Sequence, residues 1–171
     1  HEAGKTDQSS NSVAIGVNAG YNLQSESSVA IGASAGYTSQ ATVAIAIGAN
    51  AGYNNQATLA VAIGNGAGNY TQGALTVAIG SGAGYTSQGE ASIAIGNAAA
   101  NNTQGLSAVA IGSGAAELSQ GDNSVAIGDY AANDGQGQRA VAIGSSAGEI
   151  NQSDNSVAIG YVAGNDGQGS N

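Results

Sequence analysis

The sequence predicts an all-β protein built as one parallel β-solenoid, a β-roll of 16-residue coils, and three observations predict it. The tripeptide Ala-Ile-Gly recurs ten times, closing at Gly16, Gly32, Gly48 and onward to Gly160, spaced by 16 with no insertion or deletion. An Ala stands three residues after each of these glycines, from Ala19 to Ala163, and a Gln eight after, from Gln24 to Gln168. Phe, Met, Trp, Cys and Pro are absent, so the core must be built chiefly from Ala, Val and Ile and must be thin.

A fixed period of this length signals stacked units, none of which buries its apolar face alone. Sixteen residues are too few for two helices and their turns. The segment Val13-Ala14-Ile15, repeated as Val29-Ala30-Ile31, is short, rich in β-branched residues and bounded by Ser and Gly, which reads as a strand of about five residues once per coil. A second, weaker extended stretch is expected near the Gln. Turns are expected at Gly32-type positions and at Gly73, Gly89, Gly105, Gly121 and Gly137. Residues 1–171 then form a single repeat domain of about 10.7 coils, reading as uncapped at both ends, in a rod roughly 50 Å long.

In-register stacking turns each repeated residue into a column. Gln24, Gln40, Gln56, Gln72, Gln88, Gln104, Gln120, Gln136, Gln152 and Gln168 are expected to form a carboxamide ladder, or else to cap one turn in each coil. Val13, Ile15, Val29 and Ile31 point to one side of their strands and Ala14 to the other, with Gly16, Gly32 and Ala19 completing the structural columns. Either Val and Ile fill the interior and an Ala ladder faces out, or Ala fills it and a two-wide Val/Ile stripe faces out. In both cases a long apolar strip invites lateral packing by another chain. Like charges never fall in adjacent coils of one column: Glu117 and Glu149, Asp122 and Asp154, and Asp134 and Asp166 are each two coils apart.

Composition narrows the function classes. Eleven acids against Lys5 and Arg139 give a formal net charge of −9 with only 8% of residues charged, a poor match to nucleic acid or an anionic membrane. No apolar run approaches the roughly 20 residues of a membrane span. One terminal His, no Cys and no Ser with a base at a repeated offset argue against an enzyme. No cofactor or metal site is expected; Asp134-Gly135-Gln136-Gly137 reads as a solvated turn. Val77 to Gly84 imitates a dinucleotide fingerprint, but no helix follows it. Tyr21, Tyr37 and Tyr53, rejoined by Tyr85, form a column that is either a stacking ladder, a surface strip for sugar or protein, or plain packing over the neighbouring Gly.

The run Asn11-Ser12-Val13-Ala14-Ile15-Gly16, recurring at Asn123 to Gly128 and Asn155 to Gly160, resembles the head repeats of trimeric autotransporter adhesins of the YadA type. The resemblance implies a left-handed roll, three chains about an axis and display on a bacterial surface. The Ala-Gly-Tyr-x-x-Gln variant, at Ala35 to Gln40 and Ala51 to Gln56, is also similar to repeat tracts of viral and phage fibre proteins. The expected function is a structural subunit of a self-assembling, secreted extracellular fibre or surface appendage. Its partners would be further copies of itself, side by side and head to tail, and a host or matrix surface. The alternatives are an adhesive head fragment of such an adhesin and, with scattered rather than columnar Thr, an ice-binding protein.

Overall fold

The computed structural model describes residues 2–167 and contains two parallel ten-stranded sheets, with no helix among the described residues. Each coil contributes one strand to each sheet. The first sheet stacks Val13–Ile15, Val29–Ile31 and their equivalents as far as Val157–Ile159. The second stacks Thr6–Gln8, Asn22–Gln24 and so on to Ile150–Gln152. Pairing is in register throughout: Val13 faces Val29, Ala14 faces Ala30 and Ile15 faces Ile31, while Gln24 faces Gln40. The β-solenoid of 16-residue coils is therefore present as the repeat requires.

The strands are three residues long or shorter, not five: left-handed backbone brackets those of the first sheet and falls at the central residue of several in the second, such as Asn54–Gln56. In the coil running from Ile45 to Ala60, φ is +127° at Gly48, +55° at Asn50, +52° at Gly52, +51° at Asn55 and +62° at Leu59. Each positive φ turns the chain, which is how 16 residues close a coil. The turns fall at residues 17–20 and 26–27 and recur in each coil, beside the expected glycines. Turn residues join the ladder too: Gly20 N donates to Ala35 O at 2.9 Å and Ser34 N to Val17 O at 2.8 Å. Most backbone polar groups of one coil are thus satisfied by the next, while the turns also close within the coil, as where Ala35 N donates to Gly32 O at 3.3 Å.

The structure decides which strand face points inward. Ala30, Ala46, Ala62, Ala78, Ala94, Ala110, Ala126 and Ala142 are fully buried, as are Ala19 and Ala35, whereas the Val and Ile columns face outward. With Gln across the hollow, the Ala positions have no room for a larger side chain: a Cβ on Gly36 would already lie 2.7 Å from Gln40 Oε1 and 3.3 Å from the Ala30 Cβ. Apart from Ala, the buried columns are Gln, from Gln24 to Gln152, and the small residues Ser28, Thr76, Ser92, Ser124 and Ser156. Ser28 Oγ donates to Ser25 O at 2.7 Å and Ser124 Oγ to Gly121 O at 2.6 Å, so these hydroxyls close the 26–27 turn from inside.

Candidate functional site

Of the repeated columns, the Gln column is held inside, while the Val/Ile and Tyr columns face a partner or ligand. Each Gln lies across the hollow of its own coil. Gln24 Nε2 donates to Val13 O at 2.8 Å, Gln56 Nε2 to Ile45 O at 2.6 Å and Gln120 Nε2 to Val109 O at 2.8 Å, so the amide ties one sheet to the other. The carboxamides also bond coil to coil, in runs. Gln40 donates to Gln56 at 3.1 Å and Gln72 to Gln88 at 3.2 Å, and an unbroken run passes from Gln104 through Gln120 and Gln136 to Gln152 at 3.0–3.1 Å. Where a run begins, at Gln40, Gln72 and Gln104, the buried Oε1 receives no hydrogen bond, and the same holds at Gln24. The column is therefore a cross-brace and an interrupted ladder, and it caps the following turn as well: Gln40 Nε2 also donates to Ala44 O and Gln56 Nε2 to Ala60 O, both at 3.2 Å. Gln168 lies outside the described residues.

The Val/Ile columns form the outer face of the first sheet. Val13 is 39% and Ile15 57% exposed at one end of the stack, Val157 54% and Ile159 64% at the other; between them the side chains shield one another and are half-buried. The sequence reading missed a third apolar column beside them. Val43, Leu59 and Leu75 stand two residues before Ile45, Val61 and Val77, are exposed, and widen the stripe to three side chains over three coils. Alignment on the 16-residue period shows this column, but each member sits at a turn with φ near +60°, where a polar residue is the usual expectation.

Tyr21, Tyr37 and Tyr53 stack face to face, with ring centroids 4.9 Å apart in both pairs and interplanar angles of 11° and 2°. The stacking-ladder alternative is the one realised for these three. Asn69 occupies the next place in the column. Tyr85, one coil further, lies over Gly66, whose added Cβ would meet the ring at 3.2 Å, and Tyr70 stands edge-on to Tyr85 at 5.6 Å and 77°. Tyr70, Asn69, Asn50 and Ser34 join Tyr53 and Tyr85 around an open groove of about 340 Å³. The sequence reading did not bring these last four together, because it followed a single column and Tyr70 enters from the neighbouring one.

Charged residues are placed so that columns never clash. Asn133 sits between Glu117 and Glu149, its Nδ2 donating to Glu117 Oε2 at 3.1 Å, and Asn165 Nδ2 donates to Glu149 Oε2 at 2.7 Å. Asp122 and Asp154 each accept from a backbone N–H of the preceding coil, Leu106 N and Gln138 N, both at 2.8 Å. At the first coil Lys5 donates to Glu2 at 2.8 Å and to the Tyr21 hydroxyl at 3.1 Å. The bond to Glu2 and then that to Tyr21 raise the Lys5 pKa, and the bond from Lys5 lowers that of Glu2. Both groups are solvated, so the pair adds little to stability.

Among the described residues no group of three or more His, Cys, Asp or Glu is placed to hold a metal ion, and no helix is long and apolar enough to cross a membrane. Comparison of the chain with protein-family models, curated proteins and solved structures finds no match.

Proposed function

We propose that this chain is a structural subunit of a self-assembling extracellular fibre or surface appendage, in which rods pack side by side through the Val/Ile face. The observation that carries the reading is that face itself: an uninterrupted aliphatic stripe on the outside of a rod whose interior already has Ala and Gln to fill it. Ten coils at about 4.8 Å, with side chains about 10 Å across, give a stripe of about 500 Å² per rod. Pairing two such faces removes about 1,000 Å² from water, the lower bound for a specific interface. The widened section at Val43, Leu59 and Leu75 adds to it.

The adhesive head of a trimeric adhesin is the second reading, favoured by the repeated Asn-Ser-Val-Ala-Ile-Gly run at Asn11, Asn123 and Asn155. Both readings use the same stripe and differ in what it builds, a growing bundle or a closed set of three. Sedimentation velocity and negative-stain microscopy on the wild type and on Val61→Glu/Ile79→Asp test the pair. The wild type should sediment as bundles or as a defined trimer. The double variant should be a folded monomer, with unchanged far-UV circular dichroism. A monomeric wild type at millimolar concentration overturns the lateral role, and a discrete trimer selects the second reading.

A further inference from the structure

We propose that the groove between Tyr53 and Tyr85 is a binding site for one pyranose ring of a neutral glycan. In-register coils lie about 4.8 Å apart, and the rings of Tyr21, Tyr37 and Tyr53 follow that spacing at 4.9 Å. The column then misses one ring, because Asn69 stands where the next Tyr would be. Tyr53 and Tyr85 are therefore two coils apart, about 9.6 Å by the same spacing, which is room for one ring-thick group between two aromatic walls.

Asn69 does not fill that space. It is buried, and its Nδ2 turns down to donate to Asn50 O at 3.0 Å. Tyr70, 45% exposed and edge-on to Tyr85, closes one side, and Ser34 and Asn50 supply hydroxyl and amide groups at the floor. The volume of about 340 Å³ is at the small end of ligand sites and suits a single sugar residue with its neighbours in solvent.

The chemistry of the lining selects the ligand class. A pyranose has C–H faces that lie on aromatic rings and a rim of hydroxyls that exchange hydrogen bonds with amides, phenols and Ser. A wholly apolar ring would desolvate Ser34 and Asn50 without replacing their hydrogen bonds. An acidic sugar or a phosphate would find no cation, since the sequence has no charged residue between Glu26 and Glu90.

The test uses the full chain with neutral trisaccharides built from glucose, mannose, galactose or N-acetylglucosamine. Glucuronic acid and p-cresol serve as the charged and the apolar probes. Binding is read by saturation-transfer NMR and by Tyr fluorescence. At least one neutral trisaccharide should bind saturably. Asn69→Tyr, which restores the ring column and closes the groove, should weaken it at least tenfold, as should Tyr70→Ser, whose exposed ring can be removed without opening the interior. Tyr161→Ser, distant and 83% exposed, should leave binding unchanged. Absence of saturable binding by every neutral trisaccharide, affinity unaltered in Asn69→Tyr and Tyr70→Ser, or tighter binding of p-cresol or glucuronic acid would each overturn the assignment.

Discussion

Gly32 and Gly52 both have positive φ, yet they answer to different constraints. At Gly32 φ is +127°, a region closed to residues with a Cβ, and an added Cβ would lie 2.6 Å from the backbone oxygen of Gly48 in the next coil. Neither the torsion nor the neighbouring backbone can give way. At Gly52 φ is +52°, in the left-handed helical region, and the Cβ would meet Gln56 Oε1 at 2.8 Å, the far end of a flexible side chain. The chain itself places Ala100, Ala116 and Ala132 at that same coil position, with φ of +45° to +49°. Gly32→Ala should therefore cost about 3 kcal/mol or more and Gly52→Ala about 1 kcal/mol. Guanidinium unfolding of the two variants would show it, and equal costs would contradict the close approach at Gly32.

At the scale of the element, the two sheets are joined by Gln side chains instead of an oily core, and the joint is uneven along the rod. Gln120 donates to the backbone oxygens of Val109 and Ser124 and to Gln136 and accepts from Gln104, whereas Gln24 donates only to the backbone oxygens of Val13 and Ser28 and its Oε1 accepts no bond. Gln120→Leu keeps the volume but removes four side-chain bonds and leaves buried partners unmade, for a loss of about 2–4 kcal/mol. Gln24→Leu should lose about half as much, as measured by denaturant unfolding of each variant. Much of this element was legible in the sequence: the 16-residue spacing fixed both strand positions, and the invariant Gln placed the second strand. Two features were not. Val13 and Ala14 are both apolar, so alternation could not say which faced in; coil width decided it, and that depends on how Gly36 meets Ala30 across the hollow. The left-handed turns at Val43, Leu59 and Leu75 ran against residue preference and are imposed by the neighbouring coils in the stack. The Tyr column was readable as a column, but not the groove, which exists because Tyr70 belongs to a different one.

For the whole molecule, register matters more than the identity of any coil, because each coil contacts only the coils before and after it. Removing residues 97–112, one full period, joins Gly96 to Ser113 and leaves every column continuous. That deletion should retain the two-sheet circular dichroism spectrum and a single melting transition displaced by no more than a few degrees. Removing residues 97–104 puts the Gln strand out of step with its neighbours and should abolish the transition. Similar behaviour of the two deletions in a thermal melt would show that stacking in register is not what stabilises the fold.

The hydrogen bonds that join one coil to the next run along the rod's long axis, so a pull on its two ends would open them one layer at a time and not shear them together. Each layer released exchanges about 4.8 Å of rod for 16 residues of slack chain, about 54 Å when straight. A tether with that property gives way gradually under load, lengthening roughly elevenfold and absorbing work at every step.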